Sequence, residues 1–121
     1  MKKTYAYIIK GKNERFVREA VELAEPLDQE IMVEITSVGI CHTDESARNG
    51  MIPVKMPIIL GHEGAGIVTK VGSTVTEFKE GDHVALSFGF CGKCKPCTAG
   101  RPYACEQMGA VNFAGVHWNG Q

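Results

Sequence analysis

Cys91, Cys94, Cys97 and Cys105 fall within CGKCKPCTAGRPYAC, spaced C-x2-C-x2-C-x7-C, in a chain of 121 residues that holds 5 cysteines. Cysteines two residues apart let one tight turn aim two sulfurs at a single ion, and a tetrahedral zinc held by four thiolates closes such a loop without redox chemistry. An ion bound wholly by sulfur keeps no open position, so a site of this kind stabilises and does not catalyse. A [4Fe-4S] centre is the first rival, because C-x2-C-x2-C also opens the bacterial ferredoxin run, where the next cysteine follows about three residues on and precedes a proline. Here seven residues intervene and Glu106 follows, which favours zinc. A disulfide framework is the second rival. A zinc ribbon on nucleic acid is the third: Lys93, Lys95 and Arg101 make the segment slightly basic, but Tyr103 is its one aromatic, and base-stacking platforms need more.

The fifth cysteine, Cys41, stands apart in GICHTDES, and His62 lies in GHEGAG. Alone, such a pair reads as a buried thiol and a hydrogen-bonded imidazole. The surroundings point further. Gly61, Gly64 and Gly66 allow close backbone approach around His62 and Glu63, and Cys41 sits where a strand gives way to a helix, a favourable place for a thiolate.

The elements that must position these residues are short strands. KTYAYII (3–9), RFVREAVEL (15–23) and EIMVEITSVGI (30–40) read as strands, the last with Ile31, Val33 and Ile35 on one face at period two. A short helix is expected over 43–49, capped by Thr43 and ended by Gly50. IPVKMPIIL (52–60) carries two prolines and reads as an extended connection, not a central strand. GAGIVTKVG (64–72) and DHVALSF (82–88) are two further strands, with His83 at the turn into the second. Loops are expected through the cysteine lobe, and VNFAGVHWNGQ begins another strand, with His117 solvent-facing and Trp118 exposed. Many short strands and little helix predict a closed or partly closed β-barrel.

Bulk composition bounds the function classes. The length suits one domain, 44% hydrophobic and 22% charged residues describe an ordinary globular chain, and a formal net charge of -1 gives no general attraction to nucleic acid or to an anionic membrane. MKKTYAYIIKGK has too few apolar residues before Lys10 for a signal peptide, and no uncharged run approaches a membrane span. The expected address is therefore cytoplasmic, where thiols stay reduced; this weighs against disulfides.

In that order, GICHTD, GHEGAGIVTKVGS, GDHVALSF and the C-x2-C-x2-C-x7-C run resemble the amino-terminal, GroES-like catalytic domain of the zinc-containing, medium-chain alcohol dehydrogenases. SFGFCGKCKPCTAGRPYAC followed by VNFAG is most similar to the aryl- or benzyl-alcohol dehydrogenase branch. The resemblance implies a mainly β fold, a GroES-like partly open β-barrel with a short helix and a zinc-binding lobe over 88–107. It implies two zinc ions in the full enzyme. Cys91, Cys94, Cys97 and Cys105 would hold a structural one; Cys41 and His62 would hold a catalytic one, with Glu63 beside it and Asp44 orienting the histidine. It further implies that Thr43 hydrogen-bonds the alcohol and starts a proton relay, that His42 approaches the cofactor pyrophosphate, and that Phe88 lines the substrate pocket. The implied reaction is oxidation of an alcohol, aromatic in the branch it resembles, to an aldehyde or ketone with NAD or NADP. The parent would be a homo-oligomer, with no nucleic-acid or membrane partner.

Two departures from the family pattern follow. Ser46 stands where some members end the relay with a histidine, and a serine passes a hydrogen bond without acting as a base near neutral pH. No Rossmann fingerprint is present, since GHEGAG has the wrong glycine spacing, so the chain is expected to be a separately expressed domain or fragment, inactive by itself as a dehydrogenase.

Overall fold

The computed structural model describes residues 1–115, so the expectations for His117 and Trp118 lie outside the described residues. Among the described residues two three-stranded antiparallel sheets make up the scaffold, and they stay open, without closing into a barrel. In the first, β1 (Lys2–Ile9) pairs along its whole length with β2 (Val17–Leu23), from Lys2 opposite Leu23 to Ile8 opposite Val17. Asn13 takes a left-handed φ of 64° in the turn between them, a conformation that asparagine tolerates better than most residues. The other edge of β1 pairs with the short β4 (Ile58–Ile59), whereas β3 (Ile31–Val38), which precedes β4 in the chain, belongs to the second sheet.

β4 is two residues long for a clear reason. Pro57 precedes it and removes a backbone donor, which confines the segment to a sheet edge. Its register sets Ile58 opposite Ile9, and both side chains are buried, at 5% and 0% exposure. Burying one such side chain stabilises by roughly 1.5–3 kcal/mol.

The second sheet runs in the order β3, β5 (Gly64–Val71), β6 (His83–Ala85). Along β5 Gly64, Gly66 and Val68 are buried and alternate with half-buried Ala65 and Ile67, as a strand with one covered face requires. The β3 register slips between Ile35 and Ser37, opposite Gly66 and Ala65. There the backbones come so close that a Cβ on Gly66 would lie 2.0 Å from the Glu34 carbonyl oxygen, so only glycine fits.

α1 (His42–Arg48) follows β3 and buries Ala47. Its cap is Cys41 and not Thr43: Cys41 is extended, and the Asp44 carboxylate accepts from its N–H at 3.3 Å, one half of a capping box. Arg48 closes the helix by clamping both Glu45 carboxylate oxygens, at 2.6 and 2.7 Å, and by donating to the Glu14 carbonyl at 3.1 Å.

The lobe corrects the sequence reading. It contains α2 (Lys95–Thr98) and a single 3-10 turn (Pro102–Ala104), because Pro96 and Pro102 sit in first turns, where a missing N–H costs nothing, and so start these turns rather than break them. The expected strand from 111 is instead the end of α3 (Met108–Asn112). Local hydrogen bonds override the β-branched Val111 here: Met108 N–H donates to the Cys105 carbonyl at 3.3 Å, and Asn112 back-bonds to the Met108 carbonyl at 3.2 Å. The expected strand 82–88 is likewise shortened to Ala85, although Leu86 N–H still reaches the Gly64 carbonyl at 2.8 Å. Among the described residues, no helix is long and apolar enough to cross a membrane.

Candidate metal centres

In the lobe, the sulfurs of Cys91, Cys94, Cys97 and Cys105 all lie within 4.8 Å of one another. Cys91 to Cys97 and Cys94 to Cys105 are each 4.0 Å. A tetrahedral ion with Zn–S bonds of about 2.3 Å spaces its sulfurs about 3.8 Å apart, so the four thiols suit one zinc with almost no adjustment. An iron–sulfur cube would hold them farther apart, and all five cysteines are free of disulfides.

Backbone amides prepare the sulfurs for charge. Lys93 and Cys94 N–H groups donate to Cys91 Sγ at 3.4 and 3.3 Å and hold its pKa down at about 6. Cys91 and Gln107 N–H groups donate to Cys105 Sγ, each at 3.4 Å. Burial, with the Cys94 thiol adding to it, pushes Cys97 up to about 12. A cluster in which one thiol ionises readily and another resists needs a cation before all four become thiolates.

The second centre follows from the pairing of β3 with β5. Val38 lies opposite Gly64, and the alignment continues as Gly39 N–H donates to the Glu63 carbonyl at 3.0 Å. Cys41 follows Gly39 by two residues and His62 precedes Glu63 by one, so this pairing brings the two side chains to the same end of the sheet. Cys41, His62 and Glu63 bring one ligand atom each to within 4.8 Å of the others. One Asp44 oxygen takes the Cys41 N–H, while the other lies 3.4 Å from His62 Nδ1. A carboxylate on Nδ1 holds the proton there and leaves the Nε2 lone pair free for a metal.

Thr43 Oγ1 lies 3.4 Å from Cys41 Sγ. That hydroxyl first, then the Thr43 N–H and His62, draw the Cys41 pKa below its ordinary value against burial and the Glu63 charge. Sulfur, imidazole and carboxylate in one place, with the thiol biased towards thiolate, form a donor set suited to zinc.

Phe88 stacks on the His62 ring, with centroids 5.3 Å apart and planes 13° from parallel. Phe113 tilts against Phe88 at 6.2 Å. These rings, with Thr43, Ile58, Leu60 and Asn112, wall a narrow cleft of about 50 Å³. Its walls do not include Ser46, whose carbonyl receives the Ile52 N–H at 3.0 Å, and His42 is exposed at the start of α1. Sequence reasoning missed Asn112 and Phe113, because it assigned their segment to the beginning of a strand.

The chain is 47% identical over 98 residues to geraniol dehydrogenase of Castellaniella defragrans, covering 81% of this chain and 26% of that protein. It is 45% identical over 102 residues to alcohol dehydrogenase class-3 of Drosophila melanogaster, covering 83% and 27%. The structure of benzyl alcohol dehydrogenase from Acinetobacter calcoaceticus superimposes with a TM-score of 0.95 at 39% identity, over 100% of this chain and 33% of that one. The chain thus spans between a quarter and a third of these relatives. The profile of the alcohol dehydrogenase GroES-like domain matches residues 27–120, a stretch that contains both cysteine-bearing centres, and the chain belongs to that family.

Proposed function

We propose that this chain is the metal-bearing part of a zinc-dependent alcohol dehydrogenase that interconverts an alcohol and its aldehyde or ketone with NAD or NADP. The observation that carries this reading is the convergence of Cys41, His62 and Glu63 within 4.8 Å, with Asp44 on the far nitrogen of the imidazole. Zinc held there would supply a Lewis acid for the substrate oxygen, and a nicotinamide would accept or return hydride.

The chain's own groups then have defined tasks. Cys41 and His62 hold the metal, Asp44 fixes the imidazole tautomer, and Glu63 offers a further oxygen beside them. Thr43 faces the cleft and relays the substrate hydroxyl proton, Oγ1 accepting it as the Thr43 hydroxyl gives its own to the next group outward. Ser46 lies three positions on along α1, on the same helical face, and extends the hydrogen-bonded route outward. His42 is exposed and free to meet a cofactor phosphate. Cys91, Cys94, Cys97 and Cys105 hold a second zinc that keeps no open position.

Phe88, Phe113, Ile58 and Leu60 favour an aromatic or extended unsaturated primary alcohol, in keeping with relatives named for geraniol and benzyl alcohol. The cofactor is assigned to a nicotinamide-binding domain outside these 121 residues. Exposed apolar residues beside the site, Ile40 at 92% and Val38 at 61%, support a covering partner there. The cytoplasm is the proposed compartment and a homo-oligomer the proposed state of the whole enzyme.

Metal analysis and turnover test the reading together. The chain joined to its nicotinamide domain is expected to hold two zinc ions and oxidise benzyl alcohol. Replacing Cys41 with serine should remove one ion and the activity, and retention of both would overturn the proposal.

A further inference from the structure

Asn112 makes an unusual pair of bonds. Its Oδ1 accepts from Gly89 N–H at 2.7 Å, and its Nδ2 donates to the Gly89 carbonyl at 3.0 Å, so one side-chain amide engages both backbone groups of a single residue. That arrangement imitates a rung of a β-ladder. It falls where the regular ladder has ended, since β6 stops at Ala85 and Leu86 donates the last backbone bond to Gly64.

Gly89 is flanked by the two centres. Phe88, on one side, stacks on His62. Two residues on the other side, Cys91 opens the lobe. α3, which carries Asn112, is itself anchored in the lobe through Met108 N–H on the Cys105 carbonyl. A side chain at position 89 would force a shift as well, because its Cβ would lie 2.8 Å from Val111 Cγ1. The path from Cys105 through α3 to Asn112, across to Gly89 and back to Cys91 is thus a closed ring, and Phe88 is the next residue outside it.

We propose that Asn112 is a positioning residue that transmits the geometry of the four-cysteine lobe to the Phe88–His62 stack, so that the lobe sets one wall of the substrate cleft. The lobe then does more than stabilise the chain. The functional meaning rests on the dehydrogenase reading, but the geometry does not.

The test is the His62 Hε1 resonance in the zinc-loaded chain, identified by its loss in His62→Gln. A phenyl ring stacked at this distance shields that proton, and Phe88→Leu should move the resonance downfield. Asn112→Ala is expected to produce a downfield shift of comparable size while one zinc per chain stays in the lobe. Gly89→Ala, which pushes the segment that carries Phe88 away from Val111, should do likewise. An unmoved His62 resonance in Asn112→Ala, or in Gly89→Ala if the first variant does not fold, would overturn the proposal. Loss of lobe zinc together with the shift would overturn it too, because Asn112 would then be holding the lobe and not the stack. No turnover enters the readout: an inactive dehydrogenase sinks the proposed function alone, and a static His62 sinks this inference alone.

Discussion

Asp44 Oδ1 lies 3.4 Å from His62 Nδ1 while Asp44 Oδ2 holds the Cys41 N–H, so a single carboxylate sets both the tautomer of one candidate ligand and the backbone of the other. Asp44→Asn should keep the helix cap but can offer an N–H to Nδ1, which moves the imidazole proton to Nε2, where the metal must bind. Outer partners of this kind are typically worth about 10–100-fold in metal affinity. Titration with Co2+ after the lobe is filled with zinc should show that loss at the Cys41 centre; unchanged affinity would show that Asp44 orients nothing.

Thr43 acts on Cys41 before any substrate arrives. Its hydroxyl is the first cause of the lowered Cys41 pKa. Removing it in Thr43→Val should raise that pKa, leave less thiolate near neutral pH and slow alkylation of Cys41 by iodoacetamide in the chain whose lobe zinc is in place. Thr43→Ser should alkylate at the original rate. Equal rates for the valine and serine variants would contradict this account.

Much of this arrangement was legible in the residues. The β-branched alternation around Ile31, Val33 and Ile35 located β3, and the spacing of Cys91, Cys94, Cys97 and Cys105 located the lobe, because each is a local pattern with one dominant physical cause. Cys41 and His62 were harder: their meeting depends on the register of β3 against β5, a long-range relation that motif order suggested and spacing alone did not contain. Asn112 and Phe113 were misplaced because Val111 and Phe113 favour a strand by themselves, whereas the Cys105 carbonyl and the Asn112 side chain turn the segment into a helix. In the lobe, Pro96 and Pro102 break any regular pattern in the residues and so suggest loops, since nothing local shows that they sit at N-terminal helix positions.

The small core concentrates stability in few residues. Ile9 is fully buried opposite Ile58, whereas Leu23 on the neighbouring strand is 46% exposed. Ile9→Ala should cost about 2–5 kcal/mol through lost burial and a residual cavity, and Leu23→Ala less than about 1 kcal/mol. Urea unfolding of the zinc-loaded chain measures both. Similar costs for the two would mean that the β1–β4 edge does not form the core described.

Zinc binding to the lobe should depend on pH in a way set by two unlike thiols. Cys91, with a pKa of about 6, is already a thiolate above that pH and surrenders no proton to the metal, whereas Cys97, at about 12, surrenders one throughout the neutral range. Each proton displaced makes the apparent affinity rise about tenfold per pH unit. Affinity should therefore climb at least about tenfold per unit between about pH 6.5 and 8.5, and more steeply below the Cys91 pKa, where that thiol must also ionise. Chelator competition across this range, with the chelator's own protonation accounted for, reads the slope directly. A flat profile would mean that all four sulfurs are ionised before the ion arrives, and that burial of Cys97 imposes no barrier to its charge.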